Sequence, residues 1–180
     1  MAGAVTLASK ACLRSGAGKV TVHTPRCNMG ILQTSVPEAI VRSNHDEMFF
    51  SEAIDSEDFD AMAIGPGLGQ ADATAIAMIA QLRRTQAPTV VDADAINILA
   101  SHRAWLQQLP KDIIMTPHPK ELDRLVGRCN DGYERLIKAR DFAEHSQAYI
   151  ILKGHYSALC MPDGHVIFSS TGNGEMATAG

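Results

Sequence analysis

The stretch DAMAIGPGLGQADATAIAMIAQLRR, residues 60–84, carries the pattern that decides the fold. A short apolar run breaks into a glycine turn, and small and apolar residues then recur at helical spacing. The same plan returns in TVVDADAINILA (89–100) and in DIIMTPHPKELDRLVG (112–127), where Pro119 suits the first turn of a helix. Repeated strand–turn–helix units with short links predict an α/β fold, a mostly parallel sheet with helices on both faces.

The flanking segments extend this prediction in both directions. Helical spacing in residues 2–16 and 133–146 predicts two helices, and KVTVHT (19–24) and AYIILKG (148–154) are typical of strands. SALCMPDGHVIFSS (157–170) differs, because two short β runs flank the turn signal Pro162-Asp163-Gly164 and predict an antiparallel hairpin at the sheet edge. With 180 residues and no linker or internal repeat, we expect one domain.

Composition excludes several classes of function. The formal net charge is −4 and the basic residues are spread along the chain, so a nucleic-acid or anionic-membrane surface is not expected. No apolar run approaches the ~20 residues of a membrane span. The four cysteines lack metal-ligand spacing and suit reduced thiols, which favours a cytoplasmic protein. The seven histidines form no spaced set, so no zinc site is expected.

Five turns with unusual chemistry follow predicted strands, where ligands bind in open α/β sheets. The turn at Gly65–Gly69 either presents backbone N–H groups to an anion or is only a tight turn. VDADAIN either caps a helix or binds hydroxyls or Mg²⁺ through water, and Asp94 and Asn97 are the favoured ligand-facing pair.

The other three turns are TPHPKEL, ILKG and TGNGEMATAG. His118 and Glu121 lie three residues apart on one helical face, as a polar ligand clamp or as a capping box. Lys153-Gly154 follows a buried strand and suits a phosphate contact, with a solvated lysine as the alternative. The final glycine-rich segment is typical of a phosphate-binding turn.

These five motifs, in this order and at these intervals, resemble the ADP-dependent NAD(P)H-hydrate dehydratases over essentially the whole chain. The resemblance implies a ribokinase-like fold and a domain that often forms the C-terminal half of a bifunctional repair enzyme. It further implies that ADP, or ATP in some relatives, phosphorylates the C6 hydroxyl of hydrated NADH or NADPH. Elimination then restores the reduced cofactor and releases AMP and phosphate, with Mg²⁺ bridging the phosphates and no dedicated metal cage in the chain.

The resemblance also assigns residues by matching position. The hydrated-nicotinamide site would contain Ala4, Gly67 and His118, with Glu121 beside it and Asp94 and Asn97 as additions from their pattern. The adenine nucleotide would be held by Lys153, Gly154, His155, Tyr156, Ser157, Thr171, Gly172, Asn173 and Gly180.

Both ends of the chain depart from the family pattern. The family continues this last turn into Ser-Gly-Asp, whose aspartate is the catalytic base, so the base is expected just beyond Gly180. The family also begins with a strand and glycine-rich turn before the helix that here starts at Met1, so the sequence is expected to be an incomplete domain without turnover. Gly174-Glu175 replaces the usual Pro or Ala followed by Gly. A homo-oligomer is the expected assembly.

Two other functions fit parts of the pattern. A ribokinase-like kinase of a small vitamin precursor or sugar shares the glycine turn, although TPHPKE and DADAIN together favour the dehydratase. A non-catalytic binding or oligomerisation module derived from the enzyme is the second alternative.

Overall fold

The computed structural model describes residues 1–171, and these residues form an α/β fold. The helices are α1 (Ala2–Arg14), α2 (Met29–Ser35), α3 (Asp72–Arg84), α4 (Asp94–Ser101), α5 (Pro119–Val126) and α6 (Gly132–Ser146). The strands are β1 (Thr21–Thr24), β2 (Ile40–Ser43), β3 (Met62–Ile64), β4 (Thr89–Val91), β5 (Ile114–Met115), β6 (Tyr149–Leu152), β7 (Ser157–Cys160) and β8 (Val166–Ser169).

The larger sheet has six strands in the order β3-β4-β5-β6-β7-β8. The first four are parallel, and β7 and β8 add to the edge as the predicted antiparallel hairpin. The turn between them contains Gly164 at φ +82°, a conformation that favours glycine. The predicted fold class is therefore confirmed. Because β8 again runs parallel to β6, the carboxyl ends of β3, β4, β5, β6 and β8 all lie at one edge of this sheet.

A second, two-stranded parallel sheet pairs β1 with β2. The sequence predicts a single sheet and does not identify α2 or β2. In the structure a cavity of about 280 Å³ lies between β1 and β3, lined mainly by both strands and by α1. Within residues 1–171 no ladder pairs β1 with β3, so the parallel strands divide into two sheets with this cavity between them.

One hydrophobic core holds the larger sheet to its helices. Leu82 of α3, Leu99 of α4, and the strand residues Val91, Met115 and Ile150 are completely buried within it. Full burial of each such side chain contributes about 1.5–3 kcal/mol. This packing fixes the strand ends, and therefore the loops after them, in register. Within residues 1–171 no helix is both long and apolar enough to cross a bilayer.

Candidate functional site

The loops after β3, β4, β5 and β6 form a continuous row at the carboxyl edge of the larger sheet. The amide of Asp92, after β4, donates to Ile64 O at 3.0 Å, and the amide of Thr116, after β5, donates to Val91 O at 3.1 Å. The amide of Lys153, after β6, then donates to Pro117 O at 2.9 Å. Each loop is thus hydrogen-bonded to the end of the neighbouring strand or to the loop after it, which places the loops side by side.

The glycine turn after β3 packs directly against the start of α1. Gly67 has φ +66°, and a Cβ atom there would lie 2.9 Å from Ala4 Cβ and 2.6 Å from the carbonyl oxygen of Met1. A side chain at residue 67 would therefore collide with the helix. Gly67 and Ala4, which the resemblance assigns to one ligand, are neighbours here.

Gly65 brings the glycine turn equally close to the loop after β4. Its φ is +129°, and a Cβ atom there would lie 1.8 Å from the carbonyl oxygen of Asp92. No side chain fits at that distance, since the obstacle is backbone. The requirement for glycine at residue 65 is thus a close approach of two loops, in addition to its backbone conformation.

Asp94 holds the glycine turn from the other side. Its carboxylate accepts from the Gly69 amide at 2.9 Å and from Gln70 Nε2 at 3.3 Å. Asn97, one turn further along α4, uses its Oδ1 to accept from Arg124 Nη1 at 2.7 Å. Both predicted ligand-facing residues therefore make structural contacts at the rim, and Asp94 positions the turn that contains Gly67.

His118 and Glu121 form a reciprocal capping box at the start of α5. His118 Nδ1 accepts from the amides of Lys120 (3.1 Å) and Glu121 (3.3 Å), and Glu121 Oε2 accepts from the His118 amide (2.9 Å). The capping interpretation of Glu121 is thus confirmed. Its side chain is 6% exposed, whereas the His118 side chain is 45% exposed. Because Nδ1 accepts, a neutral His118 carries its proton on Nε2, which lies 3.4 Å from Glu121 Oε1.

Lys153 is paired across the sheet with Asp92, the aspartate of VDADAIN that is not part of the predicted ligand-facing pair. Its Nζ lies 2.7 Å from Asp92 Oδ1, and β5 separates the strands that precede the two residues. The Lys153 side chain is 44% exposed, so an ammonium with three donors still faces solvent at the rim. A phosphate binding there would find a cation already oriented by Asp92.

Ala93, between the two aspartates, has a strained backbone. Its φ of +50° and ψ of −120° belong to a region that non-glycine residues rarely occupy. This geometry allows Asp92 to face Lys153 while Asp94 faces the glycine turn. Strain of this kind costs about 1–3 kcal/mol and concentrates at functional sites. An alanine in a sequence gives no sign of it.

The other residues that the resemblance assigns to the nucleotide site lie partly within the described residues and partly outside them. Gly154, His155 and Tyr156 form the turn after β6, Ser157 begins β7, and Thr171 follows β8 with its hydroxyl 3.1 Å from Ser169 Oγ. Gly172, Asn173 and Gly180 lie outside the described residues. Among residues 1–171, no three His, Cys, Asp or Glu side chains come together as a metal site.

The parallel sheet, its antiparallel edge and the row of loops define a ribokinase-like α/β protein. An Enterococcus faecalis protein described as a ribokinase-like superfamily protein superposes with a TM-score of 0.76 at 25% identity, covering 99% of this chain and 62% of that one. Within that class, the NAD(P)H-hydrate dehydratase family model matches residues 1–180. The chain belongs to this family.

Two further relatives are similar along the whole chain. The bifunctional NAD(P)H-hydrate repair enzyme Nnr of Moorella thermoacetica is 38% identical over 190 residues, which cover 100% of this chain and 36% of that protein. The Bacillus subtilis ADP/ATP-dependent NAD(P)H-hydrate dehydratase, co-crystallised with ATP/Mg²⁺, has a TM-score of 0.83 and 30% identity, covering 100% of this chain and 63% of that one. The chain therefore spans about a third to two thirds of the length of these relatives.

Proposed function

We propose that this chain forms the ligand-binding crevice of an ADP-dependent dehydratase that repairs hydrated NADH or NADPH. In the reaction, ADP transfers a phosphoryl group to the C6 hydroxyl of the hydrate and leaves as AMP. Phosphate then departs from C6 as a proton is removed from the neighbouring ring carbon, which restores the reduced nicotinamide. Phosphorylation makes the hydroxyl a far better leaving group.

The observation that carries this proposal is the placement of Gly67, His118 and Lys153 on one rim. Gly67 packs against Ala4 at one end of the rim, and the His118 side chain, 45% exposed, is the polar group that a carboxamide would meet there. Lys153 offers a cation to a phosphate. Two ligands that must exchange a phosphoryl group would thus meet beyond the same strand ends, as the reaction requires.

Several features of the rim suit the charge that moves during phosphoryl transfer. Lys153 is oriented by Asp92 before any ligand arrives, so little reorganisation is needed when a phosphate takes one of its donors. Backbone amides of the turn after β6 add neutral donors. Mg²⁺ would come bound to the nucleotide's phosphates, where it neutralises their charge. Asp92 is the carboxylate nearest to Lys153.

The experiment is a calorimetric titration of the 180-residue chain with ADP, ATP, hydrated NADPH and hydroxymethylpyrimidine. We expect ADP and hydrated NADPH each to bind, and Lys153→Ala to weaken ADP binding about tenfold with little effect on the hydrate. His118→Ala should weaken binding of the hydrate and have little effect on ADP. Binding of hydroxymethylpyrimidine in place of the hydrate would instead favour the vitamin-precursor kinase, and binding of neither would favour a non-catalytic module.

We further propose that the protein is cytoplasmic and forms a homo-oligomer. Support for the first point is that all four cysteines are free thiols, and burial raises the pKa of Cys129 and Cys160. The second is supported by large apolar side chains that are more than half exposed on three helices, Leu7, Ile31 and Ile76. Sedimentation equilibrium tests the assembly, and a monomer at micromolar concentration would contradict it.

A further inference from the structure

A second cavity, of about 510 Å³, lies beside the rim, and four of its five lining residues have polar side chains. It is lined by Gln70, Asn97, Ala100, Ser101 and Arg124. Gln70 follows the glycine turn, three of the others lie on α4, and Arg124 lies on α5. Of these residues only Asn97 is expected from the sequence to contact a ligand.

Arg124 gives this cavity an uncompensated positive charge. Its Nη1 donates to Asn97 Oδ1 at 2.7 Å, and its own carbonyl accepts from Arg103 Nη2 at 3.3 Å. Asn97 is a neutral partner, and within residues 1–171 no carboxylate lies within 4.0 Å of the Arg124 guanidinium. The amide fixes one nitrogen of the guanidinium, and the remaining donors stay free for a ligand.

The cavity adjoins the part of the rim that the nicotinamide end would occupy. Gln70 Nε2 contacts Asp94 Oδ1, and Asp94 Oδ2 holds the amide of Gly69, two residues after Gly67. Gln70 therefore lies both at the end of the glycine turn and in the wall of this cavity, so the two regions adjoin. A planar guanidinium with several free donors matches the oxygens of a phosphate better than any neutral group.

We infer that the cavity around Arg124 is a phosphate subsite for the part of the dinucleotide that projects beyond the hydrated ring. The inference rests on the proposed function. The phosphate is either the pyrophosphate, which NADH and NADPH share, or the 2′-phosphate, which NADPH alone carries. In the second case Arg124 determines specificity between the two cofactors.

Fluorescence titrations with NADPH, NADH and reduced nicotinamide riboside, in excess AMP to occupy the nucleotide site, test this inference. Arg124→Gln should raise the Kd of NADPH about tenfold and leave that of the phosphate-free riboside unchanged. Arg124→Lys keeps the positive charge but loses the paired N–H donors of the guanidinium, so it should raise the Kd of NADPH less than Arg124→Gln does. Arg140→Gln on α6 removes the same charge from an Arg140–Asp141 pair and is the matched control.

The NADH titration identifies the phosphate. An equal loss for NADH indicates the pyrophosphate, and a loss confined to NADPH indicates the 2′-phosphate. Asn97→Asp provides a second variant, because a carboxylate beside Arg124 neutralises it and repels an anion. It should weaken NADPH binding at least as much as Arg124→Gln does, with circular dichroism confirming that each variant folds.

Three outcomes contradict the inference, and they differ from failure of the proposed function. Unchanged NADPH affinity in both Arg124→Gln and Asn97→Asp would overturn the subsite. So would a loss of riboside affinity equal to the loss of NADPH affinity, or an equal loss of NADPH affinity in Arg140→Gln. If the three ligands bind and His118→Ala weakens all of them, the proposed function survives such a result. If no nicotinamide ligand binds to the unmodified chain, the proposed function and the subsite both fail.

Discussion

Replacing Ala93 with glycine should stabilise the protein, although glycine is ordinarily the less stable choice. Ala93 has φ +50° and ψ −120°, a conformation whose strain costs about 1–3 kcal/mol for a residue with a Cβ atom. Glycine removes this strain, but its unfolded chain is more flexible, and losing that freedom on folding costs about 0.5–1 kcal/mol. The difference is a gain of about 1 kcal/mol, which corresponds to about 2–4 °C in Tm for a chain of this size.

Urea unfolding followed by circular dichroism measures this change, with Ala80→Gly as the matched control. Ala80 lies inside α3, where glycine costs about 1 kcal/mol relative to alanine. The same chemical change should therefore move the unfolding midpoint in opposite directions at the two positions. A loss of stability in Ala93→Gly comparable to that in Ala80→Gly would refute the assignment of strain between the two aspartates.

Three other changes test the rim and the packing around it. Gly65→Ala places a methyl group 1.8 Å from the Asp92 carbonyl oxygen, so we expect a loss above about 3 kcal/mol in urea unfolding, and near-normal stability would contradict the contact. Burial lowers the pKa of His23, whose ring nitrogens have no hydrogen-bond partner. The unfolded chain therefore takes up the proton first, and Tm should fall as the pH drops below about 6.5, with a flatter profile in His23→Leu. Hydrogen bonds from Arg135 at 2.7 and 2.9 Å lower the pKa of Asp123, so its contribution is present above the ordinary carboxyl pKa and is lost in acid. Removing it with Asp123→Asn should cost about 1 kcal/mol at pH 7 and progressively less as the pH falls below the ordinary carboxyl pKa, and a cost independent of pH would rule out the ion pair as the cause.

Local sequence signals predict most of the elements around the site. Glycines after an apolar run locate the turn after β3, and Pro119 with Glu121 three residues after His118 locates the start of α5. The segment containing α2 and β2 was not identified, because α2 has only seven residues and no side-chain cap. A short helix without a cap leaves little pattern to detect.

Contacts between distant loops are what the sequence leaves undetermined. Asp92 and Lys153 are 61 residues apart, and their pairing depends on strand order, which no local pattern encodes. The Asn97–Arg124 contact depends in the same way on how α4 packs against α5. The backbone of Ala93 is imposed by its surroundings, so residue type does not reveal it. For these reasons the sequence identifies Asp94 as a residue of this site, but it does not reveal that the Asp94 carboxylate holds the glycine turn.

Hydrogen–deuterium exchange with each ligand in turn tests the central claim most directly, since it shows which edge of the sheet binds. We expect ADP to slow exchange of amides at residues 153–157 and hydrated NADPH to slow exchange at 67–70 and 118–121, with both effects present when both ligands are added. Protection concentrated at the opposite strand ends, residues 86–89, 111–114 and 147–149, would contradict a crevice formed by the loops after β3 to β6.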